Sequence, residues 1–323
     1  MTPEGDCTFE LVIVSYRSTR PLTRLLDAVE GISVLVVDNA AEADGVRDLT
    51  TRHSAIRYLD AGGNVGFAAA ANLGAAASNA DILIFVNPDC LPSPAVLAEL
   101  TRTLCQQPDI ASCSPALRGA DGQYAAVGGG WAPSLGRCLV HAIGGYRLLR
   151  KGGIWVTPRH GEVLEVGWLA GTCLAVRRSA FLSVGGFDEH YFLYNEDMAL
   201  GDRFRHYGVR QIVRGDLVVE HVGGGSSAVP PVGMWLLRAG SLGRYINDHN
   251  GAAAALCMRT ALCAGSLLRA VAFLVIGRHR NRPREMLTYA SGILRPDRAT
   301  ANAMALLSAS TAHRQEAPGS VAI

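Results

Sequence analysis

Three apolar segments near the N-terminus decide the fold: LVIVSY at Leu11–Tyr16, VLVVDN at Val34–Asn39 and ILIFVNPD at Ile82–Asp89. A shorter apolar run, Ile56–Leu59, comes between the second and the third, and the Ala-rich, helix-favouring segment Phe67–Asn79 follows it. Apolar strands that alternate with helices are typical of a parallel sheet covered on both faces. The sequence therefore predicts an α/β fold.

Polar residues stand at the ends of these predicted strands. Ser15, Asp38 and Asp89 each fall at a carboxyl end, and ligands bind beyond that edge in sheets of this kind. We therefore expect the three side chains to converge on one crevice. A carboxylate such as Asp89 can hold Mg²⁺ or Mn²⁺ there while the metal bridges a nucleotide diphosphate. The sequence Asn87-Pro88-Asp89 is also typical of an ordinary turn, and both interpretations stay open at this point.

A second acidic cluster lies in GGFDEHYFLYNEDMALGDRF at Gly185–Phe204. Glu196 and Asp197 open a predicted helix there, directly after Asn195. The pattern is typical of a helix start, because Asn is a good N-cap residue and acids in the first turn favour the helix dipole. It also allows a catalytic carboxylate. Because the dipole lowers the pKa of such an acid, a general base at this place needs partial desolvation.

Two weaker signals concern a histidine and a glycine-rich loop. His221 ends the strand-like segment Leu217–Val222 and precedes three glycines, so it can be a metal ligand or a structural residue. The loop GGNVGF at Gly62–Phe67 lies between a predicted strand and a predicted helix, where backbone N–H groups can face phosphate. Its spacing is neither GxGxxG nor that of a Walker loop, and a turn explains it equally well.

Composition limits the possible functions. The 323 residues are 49% hydrophobic, which suffices for one large domain or two small ones. A net charge of +2 gives no strong field, so no nucleic-acid partner is expected. The eight cysteines include no CxxC pair, so reduced thiols in a cytosolic protein are expected. The acidic N-terminus lacks the apolar stretch of a signal peptide.

The C-terminal part combines apolar and basic residues. Ala252–Gly277 is apolar, but Arg259 and Arg269 divide it into uncharged runs of 7, 9 and 8 residues (252–258, 260–268 and 270–277). A membrane-spanning helix needs about 20 mostly apolar residues, so no span is expected. A basic group follows, made of Arg278, His279, Arg280, Arg282 and Arg284. An interfacial helix on anionic lipid and a core helix with a solvated basic tail are both compatible with this pattern.

Five motifs occur in one order along the chain: VIVSY, VVDNA, GGNVGFAAAANLG, FVNPD and GWLAGTCLAVRRSAFLSVGGFDEHYFLYNEDMALGDR. In this order, from about Leu11 to about Gly251, they resemble the inverting family 2 glycosyltransferases of GT-A fold. The last motif, Gly167–Arg203, is most similar to bacterial rhamnosyltransferases that use dTDP-L-rhamnose and add rhamnose to a lipid-linked GlcNAc. The resemblance implies a Rossmann-like nucleotide-sugar-binding sheet flanked by helices, with a C-terminal helical segment.

The resemblance also implies a role for each matching residue. Asp197 would be the catalytic base, with Glu196 as the alternative or supporting acid, and Asp89 and His221 would hold Mg²⁺ or Mn²⁺. The residues implied to bind the nucleotide sugar are Ser15, Tyr16, Asp38, Asn64, Gly66, Asn72 and Asn87. Those implied to bind the acceptor are Trp168, Gly171 and Thr172.

Two positions depart from the family's pattern. Ala199 stands where many relatives carry a further acid, and Ala40-Ala41-Glu42 follow VVDN in place of Ser-Thr-like residues. The first departure concerns acceptor contacts near the helix, and the second concerns the nucleoside. Neither removes the implied base or metal ligand.

The implied activity is transfer of L-rhamnose from dTDP-L-rhamnose, with inversion, to a lipid-linked or cell-surface glycan such as a polyprenyl-diphosphate-linked saccharide. The implied place is the cytoplasm, peripheral on the inner face of the cell membrane. One alternative keeps the fold and changes the donor, giving a galactofuranosyl-, glucosyl- or N-acetylglucosaminyltransferase. Another is a catalytically silent nucleotide-sugar-binding protein.

The same resemblance implies a division into domains. Residues 8–250 would form the catalytic domain, with a nucleotide-sugar-binding half at 8–118 and an acceptor-binding half at 119–250. Residues 251–295 would form a helical segment that can contact the membrane, and residues 296–323 a flexible tail.

Overall fold

A computed structural model describes residues 7–119, 122–124, 128–149, 151–221, 231–276 and 281–315. The chain divides into two compact units. The first, which we call the sheet unit, consists of Met1–Ala132, Ile154–Phe192 and Glu196–Gly225. The second, which we call the helical unit, consists of Pro133–Gly153, Leu193–Asn195 and Ser226–Ile323.

Strands and helices alternate in the first part of the chain, and helices dominate the last part. The strands are β1 (Phe9–Ser15), β2 (Val34–Asp38), β3 (Ile56–Asp60), β4 (Ile82–Val86), β5 (Cys90–Leu91), β6 (Ile110–Arg118), β7 (Gly129–Gly130), β8 (Val163–Glu165), β9 (Trp168–Leu169), β10 (Cys173–Arg177) and β11 (Arg210–His221). The helices are α1 (Thr19–Ala28), α2 (Val46–Thr50), α3 (Phe67–Ala77), α4 (Pro94–Gln106), α5 (Leu135–Ala142), α6 (Arg178–Ser183), α7 (Glu196–His206), α8 (Pro231–His249), α9 (Ala252–Ile276), α10 (Arg282–Leu294) and α11 (Pro296–Gln315). A short 3₁₀ helix covers Gly145–Arg147.

The central sheet of the sheet unit has the strand order β3-β2-β1-β4-β10-β6-β11-β5, and β8 also pairs with β11. The first four strands in this order are parallel, which confirms the predicted α/β fold. β10 differs, because it runs antiparallel between β4 and β6. The loop before β10 explains its direction. The carbonyl of Thr172 accepts from the Asn87 N–H just after β4, at 2.9 Å, so the chain enters β10 at the carboxyl end of β4 and runs back along it.

The parallel strands are apolar because helices cover both faces of the sheet. Every residue of β2 and β4 is buried. The Ala-rich helix α3 lies close to the sheet, since a Cβ on Gly74 would come within 2.5 Å of the Val12 side chain. Small residues on this face therefore bring α3, and the loop that precedes it, against the sheet.

In the helical unit, helices approach closely at small residues. A Cβ on Gly265 of α9 would lie 2.5 Å from the Cα of Ala142 in α5. A Cβ on Gly292 of α10 would lie 2.7 Å from the Cβ of Ala239 in α8. In the part of the chain that the structure describes, α9 is the one helix that is long and apolar enough, by length and composition alone, to cross a membrane.

The division of the chain differs from the predicted domains. Residues 231–249 form α8 in the helical unit, whereas the sequence predicts a catalytic domain that reaches residue 250. Residues 296–315, expected in a flexible tail, form α11. Ala299, Ala303 and Leu307 are buried there, because a spacing of four residues puts them on one helix face, and α11 packs against α8. The remaining tail residues, 316–323, lie outside the described residues.

Cys7 and Cys105 form a disulfide that ties the segment before β1 to α4. The sequence predicts reduced thiols because it shows no regular cysteine framework. The pair is 98 residues apart, so only the packing of the folded chain brings the two together. The other six cysteines are free, and all of them except Cys257 are buried.

Candidate active site

The carboxyl ends of β1 and β2 form one corner of the site. Ser15 and Asp38 are paired in register there, and both are fully buried. The Ser15 hydroxyl lies 2.9 Å from the hydroxyl of Ser18. Tyr16 is only partly buried, with the Arg17 guanidinium 5.9 Å from the centre of its ring. The structure thus brings Ser15 and Asp38 together, with the Tyr16 residue next to them in the chain.

Asp38 is held by hydrogen bonds from the loop that follows β2 and from β3. Its carboxylate accepts from the backbone N–H groups of Ala40 and Glu42, at 2.8 and 3.0 Å, and from the Tyr58 hydroxyl, at 3.0 Å. Burial, together with this last hydrogen bond, raises the pKa of Tyr58 well above its ordinary value, so the phenol stays a donor. The segment Ala40–Glu42 departs from the family's pattern in its side chains, but Asp38 uses its backbone N–H groups.

Asn39 organises the glycine-rich loop, a role that the sequence analysis does not assign to it. Its amide donates to Asn64 Oδ1 at 3.1 Å, and its side-chain oxygen accepts from the Val65 N–H at 2.9 Å. Gly66 has a φ of 91°, and a Cβ there would lie 2.6 Å from the Phe192 carbonyl oxygen. The loop is therefore fixed between Asn39 and Phe192. An Asn at a strand end readily bonds to nearby backbone groups, so the VVDN motif carried a signal for this role.

Asn72 forms hydrogen bonds to the loop that contains Phe187 and Glu189. Its amide nitrogen donates to the Phe187 carbonyl and to a carboxylate oxygen of Glu189, both at 2.9 Å, and its oxygen accepts from the Phe187 N–H at 2.8 Å. Both amide protons are thus engaged within the protein. The resemblance implies a contact between Asn72 and the nucleotide sugar. In this structure the side chain fixes the segment that leads toward the acidic pair.

Asp89 and His221 lie side by side although they are far apart in the sequence. β5 pairs with the end of β11, which sets Cys90 opposite His221 and brings Asp89 next to it. The His221 Nε2 lies 3.4 Å from the Asp89 Oδ1, and both side chains are partly exposed. Asn87 forms the turn before them: its N–H donates to Thr172, and its carbonyl accepts from the Cys90 N–H at 3.0 Å.

This metal corner, made of Asp89, Cys90 and His221, has donor atoms that suit a divalent cation. The three ligand atoms lie within 4.8 Å of one another. Burial raises the pKa of the Cys90 thiol well above its ordinary value, so the thiol stays protonated and is a poor ligand. Asp89 and His221 would therefore be the residues that hold a Mg²⁺ or Mn²⁺ ion, since a carboxylate and an imidazole are both ligands of such ions.

The acidic pair lies at a sharp turn into α7. Tyr194 and Asn195 have φ values of 68° and 70°, a left-handed conformation that Asn tolerates and that is uncommon for Tyr. Asn195 therefore departs from the extended backbone of a usual N-cap. Glu196 is buried, whereas Asp197 is partly exposed. The Asp197 Oδ1 accepts from the Met198 N–H at 2.8 Å, which fixes one side of the carboxylate.

Burial raises the pKa of both acids. It raises the pKa of Asp197 to about 6. It raises the pKa of Glu196 well above its ordinary value, with a further contribution from the charge of Asp197. The Glu196 Oε2 has no hydrogen-bond partner among the described residues. With a pKa of about 6, Asp197 is ionised at neutral pH and can accept a proton, and the burial of Glu196 favours its protonated form. Desolvation outweighs the helix dipole, which alone would lower both pKa values.

One short loop connects the acidic pair to the metal corner. The Gly171 N–H donates to the Asp197 Oδ2 at 3.4 Å, and the carbonyl of the next residue, Thr172, accepts from Asn87. A Cβ on Gly171 would come within 3.2 Å of the Phe67 ring, which follows the glycine-rich loop. The segment between β9 and β10 therefore brings three parts of the predicted site together.

Two further positions belong to the packed interior. Trp168 is 3% exposed and packs under α7, where a Cβ on Gly201 would lie 2.6 Å from the Trp168 Cβ. The resemblance implies an acceptor contact for Trp168. In this structure it supports the helix that carries Asp197. Ala199 is also buried, so an acid at this position, as in many relatives, would be desolvated.

The sequence is similar to those of known glycosyltransferases. The model of the family described as glycosyl transferase family 2 matches residues 11–152. The N-acetylglucosaminyl-diphospho-decaprenol L-rhamnosyltransferase of Mycobacterium tuberculosis is 36% identical over 220 residues, which cover 61% of this chain and 70% of the relative. These two findings confirm the resemblance that the sequence motifs indicate.

The fold is similar to those of solved structures. A mannosyltransferase from Pyrobaculum calidifontis in complex with GDP-Man and Mn²⁺ has a TM-score of 0.55 and 17% identity, covering 96% of this chain and 87% of that one. GalNAc-T7 with UDP, GalNAc and Mn²⁺ has a TM-score of 0.53 and 15% identity over 75% of this chain. This chain spans 48% of the GalNAc-T7 chain, about half its length. At these identities the similarity concerns the fold, and it confirms the predicted GT-A arrangement.

Proposed function

The chain belongs to glycosyl transferase family 2, and we propose that this glycosyltransferase transfers L-rhamnose from dTDP-L-rhamnose to a polyprenyl-diphosphate-linked saccharide, with inversion. One arrangement carries the proposal. Asp197, a carboxyl group with a pKa of about 6, is joined by one short loop to the turn that carries the Asp89–His221 pair. The similarity to a decaprenol-linked rhamnosyltransferase supports the choice of donor and acceptor class.

Asp197 is the proposed general base. Its carboxylate would take the proton of the acceptor hydroxyl while the hydroxyl oxygen attacks the anomeric carbon from the face opposite the diphosphate. The new bond to oxygen forms as the bond to the diphosphate oxygen breaks, and the electron pair leaves with the nucleotide. A base with a pKa of about 6 is ionised at neutral pH and still basic enough to accept a proton. Glu196, which is buried, would support the start of α7.

Asp89 and His221 are the proposed ligands of a divalent cation. When bound, Mg²⁺ or Mn²⁺ would neutralise charge that develops on the leaving diphosphate. The Asp89 oxygen and the His221 nitrogen are 3.4 Å apart, so both can reach a single cation. The two solved structures of similar fold contain Mn²⁺ together with a nucleotide or a nucleotide sugar, which supports this class of cofactor.

The donor would lie along the carboxyl edge of the sheet. The nucleoside would contact Ser15, Tyr16 and Asp38, and the diphosphate would approach the loop at Asn64 and Gly66. The buried carboxylate of Asp38 is fixed by three hydrogen bonds, so it offers a preorganised acceptor for a base or a ribose. Asn87 would orient the turn that carries Asp89, and Gly171 and Thr172 would face the acceptor.

The acceptor class sets the place of the reaction. A polyprenyl-diphosphate-linked saccharide lies in a membrane, whereas nucleotide sugars are made in the cytosol. The enzyme would therefore work as a peripheral protein at the cytoplasmic face of the cell membrane.

A donor panel with a membrane lipid extract tests the proposal. The purified protein is incubated with the extract, Mg²⁺ or Mn²⁺, and in turn dTDP-L-rhamnose, UDP-galactofuranose, UDP-glucose and UDP-N-acetylglucosamine. Mass spectrometry should show a lipid product heavier by one deoxyhexose with the first donor. A matched reaction with Asp197→Asn controls for enzymes carried over in the extract.

Each result of the panel decides between the alternatives. A UDP-sugar that is turned over at least as well as dTDP-L-rhamnose would overturn the proposed donor while keeping the glycosyltransferase. Binding of dTDP without turnover of any donor would favour a silent nucleotide-sugar-binding protein instead.

A further inference from the structure

Two arginines interrupt the apolar sequence of α9, and both turn toward the ends of other helices. Arg259 donates at 3.2 Å to the carbonyl of Leu294, the last residue of α10. Arg269 donates at 2.5 and 3.5 Å to the carbonyls of His141 and Ala142, the last two residues of α5. The last carbonyls of a helix lack partners within that helix, and a cation beside them complements the helix dipole. Both arginines are therefore used within the helical unit.

The outward face of α9 is consequently uncharged along its length. Its exposed large side chains are all apolar, namely Leu256, Leu267, Leu268, Val271, Leu274, Val275 and Ile276. The inward face is buried and includes Met258, Leu262 and Ala270. Counting uncharged runs between arginines in the sequence understates this surface, because the sequence does not tell which way the arginine side chains point.

A second apolar surface begins where α5 meets α9. Ala142 contacts α9, and the next residue, Ile143, is 78% exposed. Leu148 and Leu149 follow the 3₁₀ helix and are 90% and 60% exposed. The Leu149 N–H donates to a carbonyl within this turn at 2.8 Å, so the turn is held by its own backbone. We call Ile143–Leu149 the tip. Exposed apolar clusters of this kind mark interaction surfaces.

The two segments that carry these surfaces contain no acidic residue. All 28 acids of the chain lie outside residues 122–161 and 249–284. The basic residues of these segments are Arg137, Arg147, Arg150, Lys151 and Arg159 in the first and Arg259, Arg269, Arg278, Arg280, Arg282 and Arg284 in the second. Arg259 and Arg269 face inward, Arg282 pairs with Glu285 at 3.4 Å, and Lys151 and Arg284 are exposed. The side chain of Arg147 and the residues Arg150, Arg278 and Arg280 lie outside what the structure describes.

This charge pattern selects the partner. Exposed apolar residues beside exposed cations such as Lys151 and Arg284 match a bilayer that contains anionic lipid, where the apolar groups insert and the cations pair with headgroups. A symmetric contact between two copies of the chain would set the same basic segments against each other, which is unfavourable.

We propose that the outward face of α9 and the tip form a docking surface for an anionic lipid bilayer, and that α9 lies in the interface without crossing the bilayer. α9 contacts α5 and α10 along its inward face, and its two arginines bond to the ends of those helices, so the helix is tied to the helical unit along its length. An interfacial helix inserts its apolar face by about 5–10 Å. The proposal rests on the proposed function for its purpose, since a lipid-linked acceptor lies at such a bilayer. Lipid binding itself can be measured without donor or acceptor.

Flotation of the full-length protein tests the surface. The protein is mixed with vesicles of phosphatidylcholine and phosphatidylglycerol, or of phosphatidylcholine alone, and the bound fraction is measured at low and high salt. We expect binding to the mixed vesicles that weakens with salt, because exposed charges are screened beyond about 10 Å. A truncation at Gly251 is unsuitable, because it would uncover the helices that pack against α9.

Three double variants separate the surface from the rest of the molecule. They are L148E/L149E in the tip, L274E/V275E in α9 and, as the matched control, V163E/L182E at exposed apolar positions of the sheet unit. Each of the first two should reduce vesicle binding by at least about tenfold, because two inserted apolar side chains are replaced by charges. The control should bind within about twofold of the wild type, and all three should bind dTDP like the wild type.

The outcomes are distinct. Wild-type protein that stays soluble with every vesicle would overturn the proposal, and so would a tip variant or an α9 variant that binds like the wild type. Resistance to both salt and carbonate would show that α9 is embedded more deeply than an interfacial helix. A dimer that the same variants dissociate, with no vesicle binding, would assign the surface to a second copy of the chain. Vesicle binding without sugar transfer would leave the docking surface standing while the proposed function fails.

Discussion

Among the described residues, the buried acidic side chains lie in the sheet unit, whereas the most exposed aliphatic side chains lie in the helical unit. Ser15 and Asp38 are fully buried and Glu196 is 4% exposed, while Leu148 and Val275 are 90% and 82% exposed. A folded chain gains stability from the reverse arrangement, so both departures are informative. Each departure lowers the stability of the isolated chain, so each indicates a region with a function.

The two departures differ in how their unfavourable free energy is distributed over the residues. Leaving a buried polar group without a partner costs roughly 1–3 kcal/mol, and in the sheet unit this cost falls on single atoms such as the Glu196 Oε2. Exposing a large apolar side chain forfeits roughly 1.5–3 kcal/mol, and in the helical unit this loss is spread over a whole face. A concentrated cost is typical of a site for chemistry, and a distributed one of a docking surface.

The comparison between the two units would fail most clearly if Asp197 could be neutralised without loss of activity, because the buried acids would then have no role in a reaction. Asp197→Asn keeps the shape of the side chain and removes the basic oxygen. We expect turnover of dTDP-L-rhamnose to fall by roughly 10²–10⁴-fold, with dTDP affinity nearly unchanged. Steady-state kinetics measures the first quantity, and isothermal titration with dTDP the second.

Glu196→Gln is the matched control for this variant. Glu196 is buried and its raised pKa favours the protonated form, so a neutral amide in its place should retain activity within about tenfold of the wild type. Turnover that is lost in Glu196→Gln and kept in Asp197→Asn would reverse the two roles.

The next effect in size concerns the metal corner. Asp89→Ala should weaken binding of the dTDP-sugar by about 100-fold in Mg²⁺ or Mn²⁺, because the cation then loses its only carboxylate from this corner. EDTA should have the same effect on the wild type, and His221→Ala a smaller effect in the same direction. Asp81→Ala is a suitable control. Asp81 lies just before β4, at the end of the strand opposite to Asp89, and its carboxylate accepts hydrogen bonds from Thr8. Full activity in EDTA would remove the metal from the mechanism.

The pH dependence of activity and of stability tests the raised pKa of Asp197. Because Asp197 must be ionised to act as a base, kcat/KM should level off above pH 6 or so and fall about tenfold per pH unit below it. Stability should change in the opposite sense. A pKa raised from its unfolded value to about 6 gives stability at acid pH that is lost as the pH rises through about 6. Asp197→Asn should lack both transitions, and an acid limb of kcat/KM that persists in a residually active variant would belong to another group.

Much of the sheet unit could be predicted because its signals are local. β1, β2 and β4 are apolar runs that end in polar residues, and this pattern places Ser15, Asp38 and Asp89 at one edge of a sheet. The direction of β10 could not be predicted, since it depends on a contact between Thr172 and Asn87. The approach of His221 to Asp89 likewise depends on the pairing of two strands and leaves no local trace in the sequence.

The helical unit was harder to predict because its surface depends on the directions in which individual side chains point. In the sequence, Arg259 and Arg269 interrupt the apolar segment of α9. Only the packing of the helices shows that both side chains turn inward. The tip lies in a stretch rich in Gly and aromatic residues with weak periodicity, which predicts loops without indicating which side chains face out. Patterns of spacing thus predict which residues share a helix face, but not what that face meets.

The smallest expected effect comes from Arg269→Met, which tests whether the inward arginine is structural. His141 also lies at the end of α5, but burial, with a contribution from the charge of Arg269, lowers its pKa to about 4. Arg269 is therefore the cation at this helix end at neutral pH. Hydrogen bonds to charged groups contribute about 1.5–3 kcal/mol, so the variant should unfold several degrees lower in a thermal scan.

Vesicle binding by the same variant decides between the two roles of a cation on α9. If Arg269 serves the end of α5, Arg269→Met should bind anionic vesicles like the wild type, because the outward face of α9 keeps all of its apolar residues. If Arg269 instead pairs with lipid headgroups, binding should fall about fivefold, as expected for roughly 1 kcal/mol per arginine, with no change in the unfolding midpoint. Arg102→Met is the control for loss of a charge. Its ion pair with Glu99 is exposed and within one helix, and such pairs contribute at most about 1 kcal/mol.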